Sequence, residues 1–219
     1  MTDHATLYYA HDPMCSWCWA FAPRWLALRL ALESEVADKL SVCRLLGGLA
    51  PDSDVPMPEP MQNYLKQTWS TIQQRVPGTR FNFDFWTHCS PRRSTWPACR
   101  AVIAARKQGI QYDESMTGAI QLAYYLEARN PSDEETLVIL AEENGLDKIR
   151  FADDLNSEET RNEHQREMNT VQRLGVRGFP ALVLLGNGWG QSIGVDYADT
   201  QTMLGQIHSL LEKGNAQDQ

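Results

Sequence analysis

Two short β-forming stretches near the start of the chain, residues 7–10 and 41–46, the second closed by Gly47-Gly48, flank one long helical pattern over 15–38. A helix of that length between two strands acts as a crossover, so the strands are expected to be parallel and the unit to be βαβ. Pro23 lies inside the helical pattern, where it removes the hydrogen bond to the Trp19 carbonyl and predicts a kink without an end. Near the other end, β-forming runs at 181–185 and 189–195 are joined by Gly186-Asn187-Gly188, and the Asn-Gly predicts a hairpin. An amphipathic helix over 200–211 follows, and 213–219 is expected to fray as a polar tail.

The stretch between these two groups is helical in pattern. Four prolines fall between Pro51 and Pro60, which predicts a loop. Helices are expected at 61–76, 97–108, 114–129, 132–144 and 158–174. Ser132 and Glu135 have the spacing of a capping box, and Gly109, Gly145 and Gly175 stand where helix C-terminal caps are expected. The mixed-sign stretch 153–167 predicts one solvated helix face. In Phe81-Asn82-Phe83-Asp84-Phe85-Trp86 the aromatics alternate at period two, as in an extended segment with one packed face or an aromatic wall beside a groove. The whole is α/β: a discontinuous unit of 1–50 and 175–213, interrupted by a helical insertion over 51–174.

Chemistry concentrates at the start of the first helix, in Cys15-Ser16-Trp17-Cys18. The first N–H groups of a helix lack intrahelical partners and carry roughly +0.5 of a charge, which stabilises a thiolate placed there. A second cysteine three residues on shares that helix face and can attack a mixed disulfide made by the first. Five cysteines are an odd number for a disulfide-stapled fold. Cys43 and Cys99 fall in apolar surroundings and are expected to be buried and inert, while Cys89 has no assignment. Zinc would need four ligands; His88 and Cys89 could contribute, but Cys89 and Cys99 are too far apart to form a close pair, so no metal site is expected. No motif calls for a cofactor.

Composition narrows the partners. The net charge is −8 with no basic block, which argues against nucleic acid and anionic membranes. No stretch reaches the about 18 consecutive apolar residues of a spanning helix. The first five residues lack the charged and apolar regions of a secretory leader, so a cytoplasmic location is expected. With 42% hydrophobic residues the chain can bury a sizeable core.

The element order, the C-x-x-C helix and Gly178-Phe179-Pro180 before a β run resemble the thioredoxin superfamily, specifically its DsbA-like branch. His11-Asp12-Pro13-Met14-Cys15-Ser16-Trp17-Cys18-Trp19 is similar to cytosolic members akin to FrnE and to 2-hydroxychromene-2-carboxylate isomerase. The resemblance implies a thioredoxin-like fold with a large helical insertion, Cys15 as nucleophile and Cys18 as resolving thiol. It also implies that Pro180 follows a cis peptide facing the sulfurs, with Phe179 turned toward an incoming chain. Trp17, a candidate substrate contact, and Trp19 mark either a substrate or subunit surface or, one or both, part of the core. The family's buried acid six positions before the first cysteine is replaced by Tyr9, so Asp12 or His11 becomes the candidate for proton transfer, Asp12 being equally suited to capping the turn. Ser16-Trp17 lacks the histidine of DsbA, which predicts a less oxidising pair.

The expected activity is therefore thiol–disulfide exchange, as a protein disulfide reductase or isomerase, on a disulfide-containing protein or a small thiol such as glutathione. A glutathione-dependent isomerase or transferase on the same fold is the alternative, disfavoured by retention of Cys18. A non-enzymatic thiol sensor or zinc site is the third.

Overall fold

The structure, a computed structural model, describes residues 4–217; part of the N-terminal stretch weighed as a leader and the last residues of the expected tail lie outside the described residues. Strand β1 (Ala5–His11), helix α1 (Ser16–Glu35) and strand β2 (Leu40–Leu46) form the expected unit, with β1 and β2 parallel. Strand β3 (Ala181–Gly186) pairs antiparallel with β1, and β4 (Trp189–Ile193) antiparallel with β3, in the order β2-β1-β3-β4. Asn187 and Gly188 form the hairpin turn, Gly188 at φ 75°, a left-handed conformation that glycine adopts without penalty. α1 continues through Pro23.

Strand alternation divides the sheet into two faces. Leu7 and Tyr9 join Leu182 and Leu184 beneath Phe21, Trp25 and Leu28 of α1 and Met203 and Ile207 of helix α9, Thr200–Gln217. Ala10 and Leu45 face the other way, toward Val171 and Phe179. α9 continues through 213–217, so the tail expected to fray there is helical.

Between β2 and β3 run helices α2 (Glu59–Arg75), α3 (Phe85–His88), α4 (Trp96–Arg106), α5 (Tyr112–Tyr125), α6 (Glu134–Glu143), α7 (Lys148–Asn156) and α8 (Glu158–Arg173). Their apolar cluster also takes in Met14, Ala20 and Leu46, so the helices pack directly on the end of the sheet that carries the cysteines. Gly145 and Gly175 follow α6 and α8 at φ 78° and 73°.

Three further local expectations fail. The stretch 153–167 is not one helix face: Ser157 closes α7 and caps α8 by accepting the Thr160 N–H, while Asp147 caps α7 through Ile149 and Arg150. Ser132 makes no capping box; its hydroxyl donates to the Ser94 carbonyl at 2.7 Å and Asp133 precedes α6 instead. The aromatic run 81–86 is not extended, because Phe85 and Trp86 lie in α3 and pack with Phe81 around the fully buried Trp69. Aromatic core packing outweighed the period-two pattern. Among the described residues no helix is long and apolar enough to cross a membrane.

Candidate active site

β1 ends at His11, and the next four residues turn the chain into α1. Asp12 shapes that turn: its carbonyl accepts the Cys15 N–H at 3.0 Å and its Oδ1 accepts the Met14 N–H at 2.8 Å. Cys15 is the N-cap of α1, in extended conformation, and its carbonyl accepts the Trp19 N–H at 3.0 Å. This is the expected place at the helix start, although its sulfur makes no capping bond to the helix amides. A thiol needs an acceptor, and Cys15 Sγ donates to the Phe179 carbonyl at 3.4 Å, across 164 positions of sequence. The Phe179–Pro180 bond is cis. Phe179 lies against bare backbone: a Cβ on Gly47 would stand 2.1 Å from its ring, so only glycine leaves room.

Cys18, one helical turn on, is completely buried. Burial pushes its thiol well above the usual cysteine value, and the neighbouring Cys15, within hydrogen-bond reach, pushes the same way. Asp12 acts on Cys18 in two opposed senses, its backbone favouring the thiolate and its carboxylate charge disfavouring it. Both cysteines are free thiols.

Asp12 is itself completely buried. Its Oδ2 accepts the Leu49 N–H at 2.9 Å and the Thr95 hydroxyl at 2.7 Å, and Thr95 returns its own N–H to the Ala50 carbonyl at 3.0 Å. Burial raises the carboxyl above its ordinary range; the bonds from Leu49, Thr95, Met14 and Cys99 oppose that rise without cancelling it. Asp12 therefore caps the turn and also stands as a buried acid beside Cys18.

His11 does not join the sulfurs. Its ring stacks on Tyr9 at 4.9 Å and its Nε2 lies 3.1 Å from an Arg44 nitrogen. Burial first, then Arg44 and Arg106, hold it well below the usual histidine value, which favours the neutral ring. Tyr9 fills the position of the missing acid with a ring packed on Trp25 at 4.1 Å. Trp17 is half-buried and meets Tyr197 edge-on at 5.4 Å.

Several residues of this neighbourhood escaped the sequence reading. Tyr197, in the loop after β4, is raised by burial and then by the proximity of Cys18 and Cys15. His164 of α8 is buried, with Nε2 2.6 Å from the Gly47 carbonyl, and burial lowers it to about 4. Gly47-Gly48 was visible only as the end of a strand; nothing in the sequence joins Thr95 to a residue 83 positions away. Among the described residues no group of three or more His, Cys, Asp or Glu could hold a metal. Cys89 donates to the Ala128 carbonyl at 3.0 Å, Cys99 is fully buried, and Cys43 is half-buried where full burial was expected. A cavity of 470 Å³ bordered by Arg29, Cys43, Arg44 and Asp113 contains none of the expected site residues.

Known proteins share this fold. The model of the DSBA-like thioredoxin domain matches residues 8–206. Cytosolic disulfide reductase DsbM of Pseudomonas aeruginosa is 28% identical, with a TM-score of 0.69 over 97% of this chain and 98% of that one. A Nitrosomonas europaea structure, provisionally described as a protein disulfide isomerase, has a TM-score of 0.80 and 26% identity over 96% of this chain and 98% of that one. The ClpXP adapter protein SpxH of Halalkalibacterium halodurans is 26% identical over 81% of this chain and 57% of its own length. The chain thus spans little more than half the length of the curated relatives it matches. With the family model covering most of its residues, the chain belongs to the DSBA-like thioredoxin-domain family.

Proposed function

We propose that the chain is a dithiol–disulfide oxidoreductase working in the reducing direction, as reductase or isomerase, in the cytoplasm. Cys15 as thiolate attacks a substrate disulfide R–S–S–R′, forming Cys15–S–S–R and expelling R′S⁻, which takes up a proton. Cys18 then loses its proton and attacks Cys15 Sγ, releasing RS⁻ and leaving a Cys15–Cys18 disulfide. Two electrons have passed to the substrate. Asp12, a buried acid with a raised carboxyl beside Cys18, takes the Cys18 proton. Phe179, Pro180 and Trp17 border Cys15 and receive the substrate chain. The observation that carries the reading is the 3.4 Å contact between Cys15 Sγ and the Phe179 carbonyl. DsbM, a cytosolic disulfide reductase also solved with GSH, supports the direction, the location and a glutathione-type thiol among the substrates.

Insulin reduction tests the proposal. Cys15→Ser should be inert, and Cys18→Ser should accumulate mixed disulfides with the substrate because no internal thiol releases them. Full turnover by either variant would overturn it. The SpxH relatives favour a second reading, a protein-binding adapter. In that reading both cysteines would be dispensable for partner capture.

A further inference from the structure

Thr95 directly precedes helix α4, where a threonine ordinarily accepts a hydrogen bond from an amide of the first turn. It makes no such bond. Pro97, at the second helical position, has no N–H to give, and the hydroxyl is used elsewhere. A hydroxyl has one hydrogen and two lone pairs. Thr95 Oγ1 accepts the Ala50 N–H at 3.2 Å and gives its hydrogen to Asp12 Oδ2 at 2.7 Å. The competing acceptor, the Ala50 carbonyl, lies farther off at 3.5 Å. Thr95 and Asp12 are both buried, so bulk solvent does not compete for the bond.

The donors divide the two carboxylate oxygens unequally. Oδ2 accepts two strong donors, the Thr95 hydroxyl and the Leu49 N–H at 2.9 Å. Oδ1 accepts one, the Met14 N–H at 2.8 Å. The Cys99 thiol also acts on the carboxylate, but a thiol is a weak donor. Each carboxylate oxygen offers about two acceptor sites, so a proton reaching Asp12 meets a filled Oδ2 and a less crowded Oδ1. Placing it on Oδ2 would force Thr95 to turn its hydrogen to the longer Ala50 bond.

We propose that Thr95, a residue of the helical insertion, is the positioning residue of the proton-transfer step: its hydroxyl holds Asp12 Oδ2 as the bonded, anionic oxygen and leaves Oδ1 to take the Cys18 proton. The inference rests on the oxidoreductase reading, with Asp12 as proton acceptor, and adds what orients and ionises that acceptor. The Cys18 proton moves to Asp12 Oδ1, the thiolate pair forms the Cys15–Cys18 bond, and the bond from Cys15 to the substrate sulfur breaks to release RS⁻. Thr95 keeps its hydrogen throughout. Around Asp12 stand Cys15 and Cys18 on α1, Cys99 on α4, Tyr124 and Tyr125 on α5, and His11 beside it on β1. Burial pushes Cys18, Cys99 and both tyrosines above their ordinary values, away from the carboxylate range. Beyond Cys99 lie Arg100 and Glu167. Glu167 bonds Arg106 and the Leu46 N–H, so a change at Thr95 leaves its partners in place.

The test is stopped-flow reaction of excess reduced full chain with dithiobis(nitrobenzoate), in a Cys43→Ser, Cys89→Ser background that confines reaction to the pair. Attack by Cys15 releases the first thionitrobenzoate, and attack by Cys18 releases the second. The second phase should quicken as pH rises through the ionisation of Asp12. Thr95→Val removes a hydrogen bond to the ionised carboxylate, which raises Asp12 further and should move this limb to higher pH by about one unit. Thr95→Ser, which keeps the hydroxyl, should follow the unsubstituted background, and the first phase should be unaltered in both variants. If Thr95→Val does not fold, Thr95→Ala removes the same hydroxyl and is read in the same way. An unmoved limb, a limb moved equally by Thr95→Ser, or equal changes in both phases would overturn the role of Thr95 alone. Absence of the second phase in the background protein would overturn the dithiol reading and this proposal with it.

Discussion

Two buried clusters meet across Trp19, which stacks on Tyr125 at 5.6 Å, and they are built on opposite principles. Around Trp69 the helical part gathers rings: Phe81 at 4.8 Å, Trp86 at 4.9 Å, with Phe85, Tyr124 and Tyr125 close by. Around Asp12 the end of the sheet gathers a carboxylate, two amide N–H donors, a hydroxyl and thiols. The first cluster buries apolar area, which stabilises the fold directly. The second buries groups that water would otherwise solvate, and it is tolerable only because each is hydrogen-bonded. A helical segment dense in aromatics is thus packing, while the sparse polar cluster surrounds the two thiols to which the proposed chemistry is assigned.

That comparison breaks first at Trp69. Trp69→Ala should lose about 3–5 kcal/mol in urea denaturation, through lost burial and a residual cavity. Disulfide exchange by the remaining folded protein should stay within about twofold of native, since aromatic packing alone is removed. Loss of exchange without loss of stability would move chemistry into the aromatic cluster.

His164 sharpens the polar side. Burial lowers it to about 4 from the ordinary 6.5, so as pH falls the unfolded chain takes the proton first. Stability associated with neutral His164 is therefore lost between 6.5 and 4, by up to about 3 kcal/mol. His11, lowered by its own burial, acts in the same sense; Asp12 and Glu167, both raised by burial, act against it. Comparing native protein with His164→Gln by urea denaturation from pH 7 to 4.5 isolates the histidine: the native chain should weaken relative to the variant. Parallel pH curves would mean that His164 is not held neutral.

Asp12→Asn gives the smallest expected effect in free energy and the most specific one. Mixed-disulfide formation at Cys15 should change little, while release by Cys18 slows about 100-fold, the lower end for loss of a positioned proton acceptor. Faster release would reassign Asp12 to a charge that merely keeps Cys18 protonated.

The sheet half was legible because its signals are local: β runs of fixed period, an Asn-Gly turn, and a helix long enough to force a parallel crossover. The cis Phe179–Pro180 bond and its approach to Cys15 were legible through the resemblance. The helical half was less so. Asp147 and Ser157 broke one apparent acidic helix face into α7 and α8, and tertiary packing on Trp69 overrode the alternation of Phe81, Phe83 and Phe85. Tyr197, Thr95 and His164 reach the site only through the fold, from loops and helices far along the chain. Gly47 was visible as a strand end, but its reason, the Phe179 ring where a side chain would stand, is a matter of three-dimensional contact.

The central claim is that two cysteines three residues apart hold different jobs, Cys15 at the substrate and Cys18 buried behind it. Timed alkylation of the reduced native chain with iodoacetamide at pH 7, mapped by peptide mass spectrometry, tests it most directly. Cys15 should be modified first, with Cys18 and Cys99 protected by complete burial and by thiols held well above their usual value. Modification of Cys18 before Cys15 would contradict the account.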